Sequence, residues 1–330
     1  MSTVLITGGA GYIGSHAVYA FLDAGYEVVV LDDLSTGVRE NLPSRISFYK
    51  GDVADRDLLQ ALLRDHQIGG VLHFAGSVVV SESVAFPEKY YRNNTSRGLE
   101  LADFLISQGI RRFLFSSTAA VYGIPDRVPV TEKSPLKPIN PYGWSKLFFE
   151  QQLKDLSAAH GLNYGILRYF NVAGSDPGAR TGQSTPLATH LIKVACEVAA
   201  GKRASMQVFG TDYDTPDGTC IRDFIHVTDL ARAHVAVYEY LQSSSKNVIF
   251  NCGNGKGHSV LEVLRAVEKA IGRRLTTEPA QRRPGDPPAL VADSSALCKT
   301  LGWRAQFGLD DMVSTALAWE RRIMGLAQDS

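Results

Sequence analysis

An apolar run at residues 4–6 breaks into Gly8, Gly11 and Gly14, then resumes as a helical pattern in which Ala17, Val18, Phe21 and Leu22 share one face. Few architectures use that order of strand, glycine turn and helix. Glycine permits a tight turn, lets backbone N–H groups approach a diphosphate with no Cβ in the way, and lets the helix pack close to the strand. The helix start adds unpaired amides and the positive end of its dipole. A second β-prone run, 28–31, ends in Asp32, roughly 20 residues after the turn, where a carboxylate accepts from ribose hydroxyls and repels a 2′-phosphate. The expectation is a dinucleotide site with NAD favoured over NADP.

The rest of the first half repeats the alternation. Strand patterns at 46–49, 71–74 and 112–116 are separated by helical patterns at 55–66 and 88–108, the latter opened by Pro87. Parallel strands need crossover connections, so the fold class expected is α/β, a Rossmann-like doubly wound parallel sheet with a smaller mixed α/β C-terminal substrate domain. Ligands then sit at the strand carboxyl ends, which carry Thr7, Asp32, Asp52, Ala75, Ser116 and Tyr169. His73, inside a strand, reads as a hydrogen-bonded core residue. Past Asn171 a Gly-Ser-Asp-Pro-Gly stretch marks a change of composition. The division expected is a dinucleotide-binding domain over 1–173 and a substrate domain over 174–330, with part of 222–252 packing back on the first. In the second region helices are expected at 187–200, 227–241 and 259–271, with strands at 207–209 and 248–251.

Composition narrows the class. Lys plus Arg equals Asp plus Glu at 34 each, so no net field points to nucleic acid or an anionic membrane, and neither is expected as a partner. With 45% hydrophobic residues over 330 the chain can bury a large core, yet no stretch approaches a membrane span and no leader pattern precedes the first strand. A cytoplasmic location is expected. Cys196, Cys220, Cys252 and Cys298 are widely spaced, which reads as reduced thiols with no metal site.

The chemistry concentrates at Tyr142 and Lys146. Spacing of four at the start of a helix puts phenol and ammonium on one face, where a nearby cation favours the phenolate and is expected to lower the tyrosine pKa. Thr118, leaving a sheet strand at its carboxyl end, supplies a hydroxyl for the oxygen that Tyr142 deprotonates.

Taken together, residues 7–16, Gly51-Asp52-Val53, His73-Phe74-Ala75-Gly76, 116–123, Pro141-Tyr142-Gly143-Trp144-Ser145-Lys146 and Arg168-Tyr169-Phe170-Asn171 resemble the extended short-chain dehydrogenase/reductases. The later stretches 209–219, 222–227 and 282–286 resemble the branch that epimerises C4 of the hexose in a UDP-sugar. The resemblance spans nearly the whole chain. It implies that Gly8, Gly11, Tyr12, Ile13, Gly14, Asp32, Asp52, Val53, Phe74, Ala75, Gly76, Asn93, Ser116, Tyr142, Lys146 and Tyr169 contact NAD. It also implies a substrate set of Thr118, Tyr142, Phe170, Asn171, His190, Leu191, Phe209, Arg222, Arg283, Asp286 and Leu290. Tyr142, Lys146 and Thr118 are the implied catalytic group, acting on UDP-galactose and UDP-glucose through a 4-keto sugar.

Three positions depart from the family pattern. Val78 stands where some members carry a lysine beside the cofactor diphosphate, which implies a weaker grip on NAD. His190 replaces an asparagine found in several members near the substrate diphosphate. Leu290 replaces a bulky tyrosine and implies room for a 2-acetamido sugar. Ala119 and Ala120 occupy the places where dehydratases and decarboxylases of this superfamily carry acidic residues, which argues against that chemistry. A 4-epimerase of a UDP-pentose or UDP-uronate is the alternative, and a non-catalytic NAD-binding sensor a second. The resemblance also implies a homodimer through the helices at 88–108 and 141–160.

Overall fold

The structure is a computed structural model that describes residues 3–185, 188–283 and 286–326. The chain opens with β1 (Thr3–Thr7), α1 (Tyr12–Asp23), β2 (Glu27–Asp32), β3 (Ser47–Lys50), α2 (Arg56–Asp65) and β4 (Ile68–His73). There follow α3 (Val80–Ala85), α4 (Pro87–Tyr91), α5 (Arg97–Ser107), β5 (Arg112–Thr118), α6 (Pro141–His160), β6 (Asn163–Tyr169), β7 (Asn171–Ala173) and α7 (Leu191–Ala199). The remainder is β8 (Met206–Phe209), β9 (Ile221–His226), α8 (Val227–Ser243), β10 (Val248–Cys252), β11 (Gly257–Ser259), α9 (Val260–Ile271), β12 (Thr277–Ala280), β13 (Ala289–Leu290), α10 (Ser295–Leu301) and α11 (Leu309–Ile323).

Among the described residues a seven-stranded sheet runs in the order β3-β2-β1-β4-β5-β6-β10. The pairings of β1 with β2 and β4, of β2 with β3 and of β4 with β5 are parallel, with Leu5 facing Val29 on one side and Val71 on the other. These central strands are buried on both faces, which is why they read as unbroken apolar runs rather than alternating ones. The strand order reverses between β1 and β4, and β1 leads into the glycine turn at that point. The expected Rossmann-like sheet is present.

Two compact units divide the chain: one is Met1–Gly123, Leu136–Arg168 and Ala231–Phe250, the other Ile124–Pro135, Tyr169–Leu230 and Asn251–Ser330. The first has a core of Leu5, Val29, Leu31, Val71, Phe113, Phe115 and Phe149. The second is the smaller mixed α/β layer. Its core gathers Ile192, Cys196, Val208, Phe224, Val263, Val267 and Leu317 under a small sheet of β11, β9 and β13, with β7 parallel to β9 and β8 parallel to β12.

One expected element changes form. The pattern at 88–108 is broken by a π-helical turn, Arg92–Ser96, between α4 and α5. Asn93 and Asn94 are weak helix formers whose side-chain amides bond elsewhere in the fold, and such a bulge lets them turn away from the helix ladder. The helix expected from 187 is described from Leu191; Leu187 lies outside the described residues, as do Pro186, Pro284 and Gly285. Cys196, Cys220 and Cys252 are buried, and all four cysteines are free thiols. No helix among the described residues is long and apolar enough to cross a membrane.

Candidate active site

In the first unit the glycine turn is closed by sterics. A Cβ on Gly14 would fall 2.1 Å from the Gly8 carbonyl oxygen, and one on Gly8, whose φ is +69°, would fall 2.5 Å from the Ala75 nitrogen. A Cβ on Gly11 meets one atom, the same oxygen, at 3.2 Å and otherwise points into open space. Gly11 caps α1 in an extended conformation, and the helix ladder begins with Ser15 N–H donating to Gly11 O at 2.9 Å. Amides of the preceding turn, Tyr12 to Gly14, therefore align with the helix axis. Asp32, at the end of β2, accepts from Ala10 N–H at 2.9 Å and from Leu34 N–H at 2.8 Å. Burial pushes its pKa up and those two donors pull it back. A narrow glycine cradle with a fixed carboxylate beside it fits a dinucleotide.

Two neighbouring loops and the π-helical turn complete that surface. Asp52 pairs with Arg97 and accepts from Ala54 N–H at 2.9 Å, next to buried Val53. Phe74 N–H donates to Thr7 O at 3.0 Å, which places Phe74 and Ala75 directly over the glycine turn. Gly76 sits against Asn94, whose Oδ1 accepts from Ser77 N–H at 2.7 Å while its Nδ2 donates to Ser77 O and to Ser145 Oγ, each at 2.9 Å. Asn93 donates to Ser77 Oγ at 3.0 Å. Val78 is exposed. His73 is a core residue as expected: Nδ1 lies 2.7 Å from Thr7 Oγ1, and burial with nearby Lys146 lowers its pKa to about 3.

The sequence Asn140-Pro141 starts α6, since the Asn140 side chain accepts from Gly143 N–H at 2.8 Å and proline suits the first helical position. A Cβ on Gly143 would lie 2.7 Å from Ala120 O, so this first turn touches the 3₁₀ turn that follows β5. Tyr142 is buried there with Thr118 hydrogen-bonded to its phenol. Lys146, one turn on and 2% exposed, donates to Ser116 O at 3.1 Å and stands 4.8 Å from the Phe115 ring centroid. Thr118 thus meets Tyr142, and the Lys146 ammonium, one helical turn on, reaches the end of β5 two residues before Thr118.

Their titration differs from the expectation of a lowered tyrosine pKa. Burial pushes the Tyr142 phenol up, and the Thr118 hydrogen bond offsets part of that rise. Burial also brings Lys146 down to about 8, with Glu150 opposing the shift. Desolvation disfavours both charged forms, an effect that helical spacing does not reveal.

In the second unit Asn171 lies on β7 opposite Phe224 of β9, and Leu290 on β13 lies opposite Arg222 of β9. Arg222 faces Asp286 at 3.5 Å, and the Arg283 guanidinium stacks 3.9 Å from the Phe209 ring centroid. Tyr169 ends β6 and Phe170 links it to β7, while His190 and Leu191 stand on a separate element, at the start of α7. The arginines are oriented by a carboxylate and an aromatic face, which suits binding of phosphate and base.

Two features escaped the sequence reading. Asn94 is one, although consecutive asparagines inside a helical pattern were the available signal. The other is a buried ion pair: Arg168 Nη2 donates to Glu150 Oε2 at 2.6 Å, with Ser117 Oγ on Glu150 Oε1 at 2.5 Å and Tyr122 OH 3.2 Å from Arg168 Nη1. Glu150 lies four residues after Lys146, so its bonds to Ser117 and Arg168 tie α6 to the end of β5 beside Thr118 and to β6.

Known proteins share this fold. Residues 4–253 match the model of the NAD dependent epimerase/dehydratase family. A UDP-glucose 4-epimerase of Azospirillum brasilense is 54% identical over 321 residues, covering 97% of this chain and 92% of that protein. The crystal structure of UDP-glucose 4-epimerase from Brucella ovis in complex with NAD superposes with a TM-score of 0.93 at 42% identity, covering 96% of this chain and 98% of that one. The UDP-Glc/GlcNAc 4-epimerase of Campylobacter jejuni gives 0.84 at 45% identity, covering 98% and 100%. Both its sequence and its fold place this chain in the NAD dependent epimerase/dehydratase family.

Proposed function

We propose that this chain catalyses the reversible C4 epimerisation of UDP-galactose and UDP-glucose through a 4-keto intermediate. The observation that carries the reading is the buried convergence of Tyr142, Thr118 and Lys146 beside the glycine turn, with Ala119 and Ala120 where an elimination would need acids. NAD, when bound, supplies the hydride acceptor and returns the hydride, so no net oxidation occurs. Tyr142 takes the proton of the C4 hydroxyl and gives it back after the ketone has turned over. Thr118, whose hydroxyl meets the phenol, binds the substrate oxygen that Tyr142 deprotonates, and Lys146 supplies the cation that favours the phenolate and a donor for the cofactor ribose. Gly8, Gly11, Tyr12, Ile13, Gly14, Asp32, Asp52, Val53, Phe74, Ala75, Gly76, Asn93, Ser116 and Tyr169 hold the cofactor.

Phe170, Asn171, His190, Leu191, Phe209, Arg222, Arg283, Asp286 and Leu290 hold the UDP-sugar. Binding concentrated on the nucleotide leaves the hexose free to rotate, as the reaction requires. On this reading residues 1–173 form the cofactor domain, whose last residues Phe170 and Asn171 also contact the sugar nucleotide, and 174–330 the substrate domain. Leu290, shorter than a tyrosine, together with 45% identity to a UDP-Glc/GlcNAc 4-epimerase, favours UDP-N-acetylhexosamines as further substrates. Exposed Trp144 and Phe148, one turn apart on α6 with ring centroids 5.5 Å apart, support pairing of two copies through this helix. Free thiols suit a reducing, cytoplasmic setting.

The test is proton NMR of UDP-galactose with purified protein and no added cofactor. UDP-glucose should appear, and the Tyr142→Phe variant should lose about 10² to 10⁴ in rate while retaining NAD. Undiminished turnover by that variant would remove Tyr142 from the mechanism.

A further inference from the structure

His190 precedes α7, and its Nδ1 lies 2.8 Å from the side-chain nitrogen of Gln183. An amide nitrogen donates and has no lone pair to offer, so Nδ1 accepts and the ring proton sits on Nε2. Gln183 is 6% exposed and His190 exposed, and with Nδ1 engaged by Gln183 the ring's remaining donor is Nε2–H.

Gln183 is itself held. Its carbonyl accepts from Lys193 Nζ at 2.8 Å, and Lys193, 4% exposed, pairs with Glu320 and lies 3.5 Å from Glu197. Glu197 also pairs with Lys202 at 3.0 Å and with Arg203, whose Nη2 donates to Ala188 O at 3.3 Å. On the other side a Cβ on Gly182 would fall 2.4 Å from the Trp319 ring. The segment that delivers His190 is thus tethered at Gln183 and at Ala188 by cations sharing the Glu197 carboxylate.

We infer that Gln183 is a positioning residue: it fixes His190 in the Nε2–H tautomer and aims that donor, with the amino end of α7, at the diphosphate of the bound sugar nucleotide. The inference rests on the proposed UDP-sugar reaction and adds to it the group that orients a substrate ligand. Gln183 touches His190 and the tethers, and acts through the ring.

A double-mutant cycle with UDP as the probe tests it. Gln183→Met keeps size and removes the donor. UDP should bind about five- to tenfold more weakly, with KM for UDP-galactose raised by a similar factor and kcat little changed. His190→Ala should weaken UDP comparably, and adding Gln183→Met to it should change nothing further. Equal weakening by Gln183→Met in both backgrounds would overturn the inference, because a general structural role does not need the ring. Histidine ¹⁵N spectra of the unsubstituted protein, with His190 assigned by its absence in His190→Ala, provide a measurement independent of folding of the variant. A protonated Nε2 and bare Nδ1 support the inference, and a proton on Nδ1 overturns it. Failure of the unsubstituted protein to bind UDP would sink the functional reading, while the tautomer still decides what Gln183 does.

Discussion

Alanine in place of Gly14 or Gly11 separates folding from cofactor binding within one motif. At Gly14 the new methyl would stand 2.1 Å from Gly8 O, 2.8 Å from Gly9 Cα and 2.9 Å from Gly8 C, all backbone. None of these atoms can retreat, since Gly8 N–H donates to Leu31 O at 2.9 Å and the other side of Gly8 abuts the Phe74-Ala75 backbone. Helix α1 must move by about 1 Å to restore a normal carbon–oxygen contact, which costs about 3 kcal/mol or more in a packed core. For a chain of 330 residues that corresponds to a Tm lower by about 4 °C. At Gly11 one contact of 3.2 Å and an ordinary φ of −71° keep the change within about 1 kcal/mol. The Gly11 methyl instead points into open space, where the proposed reading puts the cofactor diphosphate. Thermal unfolding with and without saturating NAD reads both effects. Ligand at about a hundredfold excess over Kd stabilises the unsubstituted protein by about 2.7 kcal/mol. Gly11→Ala should melt near the unsubstituted protein without NAD and lose most of the upward shift with it; Gly14→Ala should melt low in both. A Gly14→Ala protein with unchanged Tm, or a Gly11→Ala protein that falls as far, would refute the steric argument.

Asn94→Leu removes three hydrogen bonds and leaves Ser77 and Ser145 without that partner; a loss of about 2 to 4 kcal/mol is expected, with weaker NAD retention on gel filtration, and unchanged retention would show the bonds to be dispensable. For Lys146 the folded pKa of about 8 lies below the unfolded value, so between pH 8 and about 10.4 the unfolded chain binds more protons and the contribution of this group to stability rises with pH. Denaturant titrations of the cofactor-free protein should therefore show a positive slope in that window which Lys146→Met lacks; equal slopes would disprove the shift. Leu290→Tyr should abolish turnover of UDP-N-acetylgalactosamine while sparing UDP-galactose, and parallel loss of both would mean that residue 290 does not gate the 2-acetamido group.

Much of this molecule is legible without coordinates because its signals are local. The apolar runs at β1, β2 and β4, the glycine turn, Asp32 at its fixed remove and the one-turn spacing of Tyr142 and Lys146 follow from periodicity and backbone sterics. Tertiary structure decided the rest. The helix pattern at 88–108 became two helices and a π-turn because Asn93 and Asn94 bond to Ser77 and Ser145, residues 16 to 51 positions away. Burial reversed the expected direction for Tyr142, since desolvation depends on what packs around a group rather than on its neighbours along a helix. The Lys193–Glu320 pair behind Gln183 and His190 likewise joins elements distant in sequence, and the buried Glu150–Arg168 pair links α6 to the strand after it through side chains that no local pattern singles out. Sequence alone determined which chemical groups are present and which local elements carry them. Their protonation, orientation and partners were settled only when folding removed water and brought distant segments into contact.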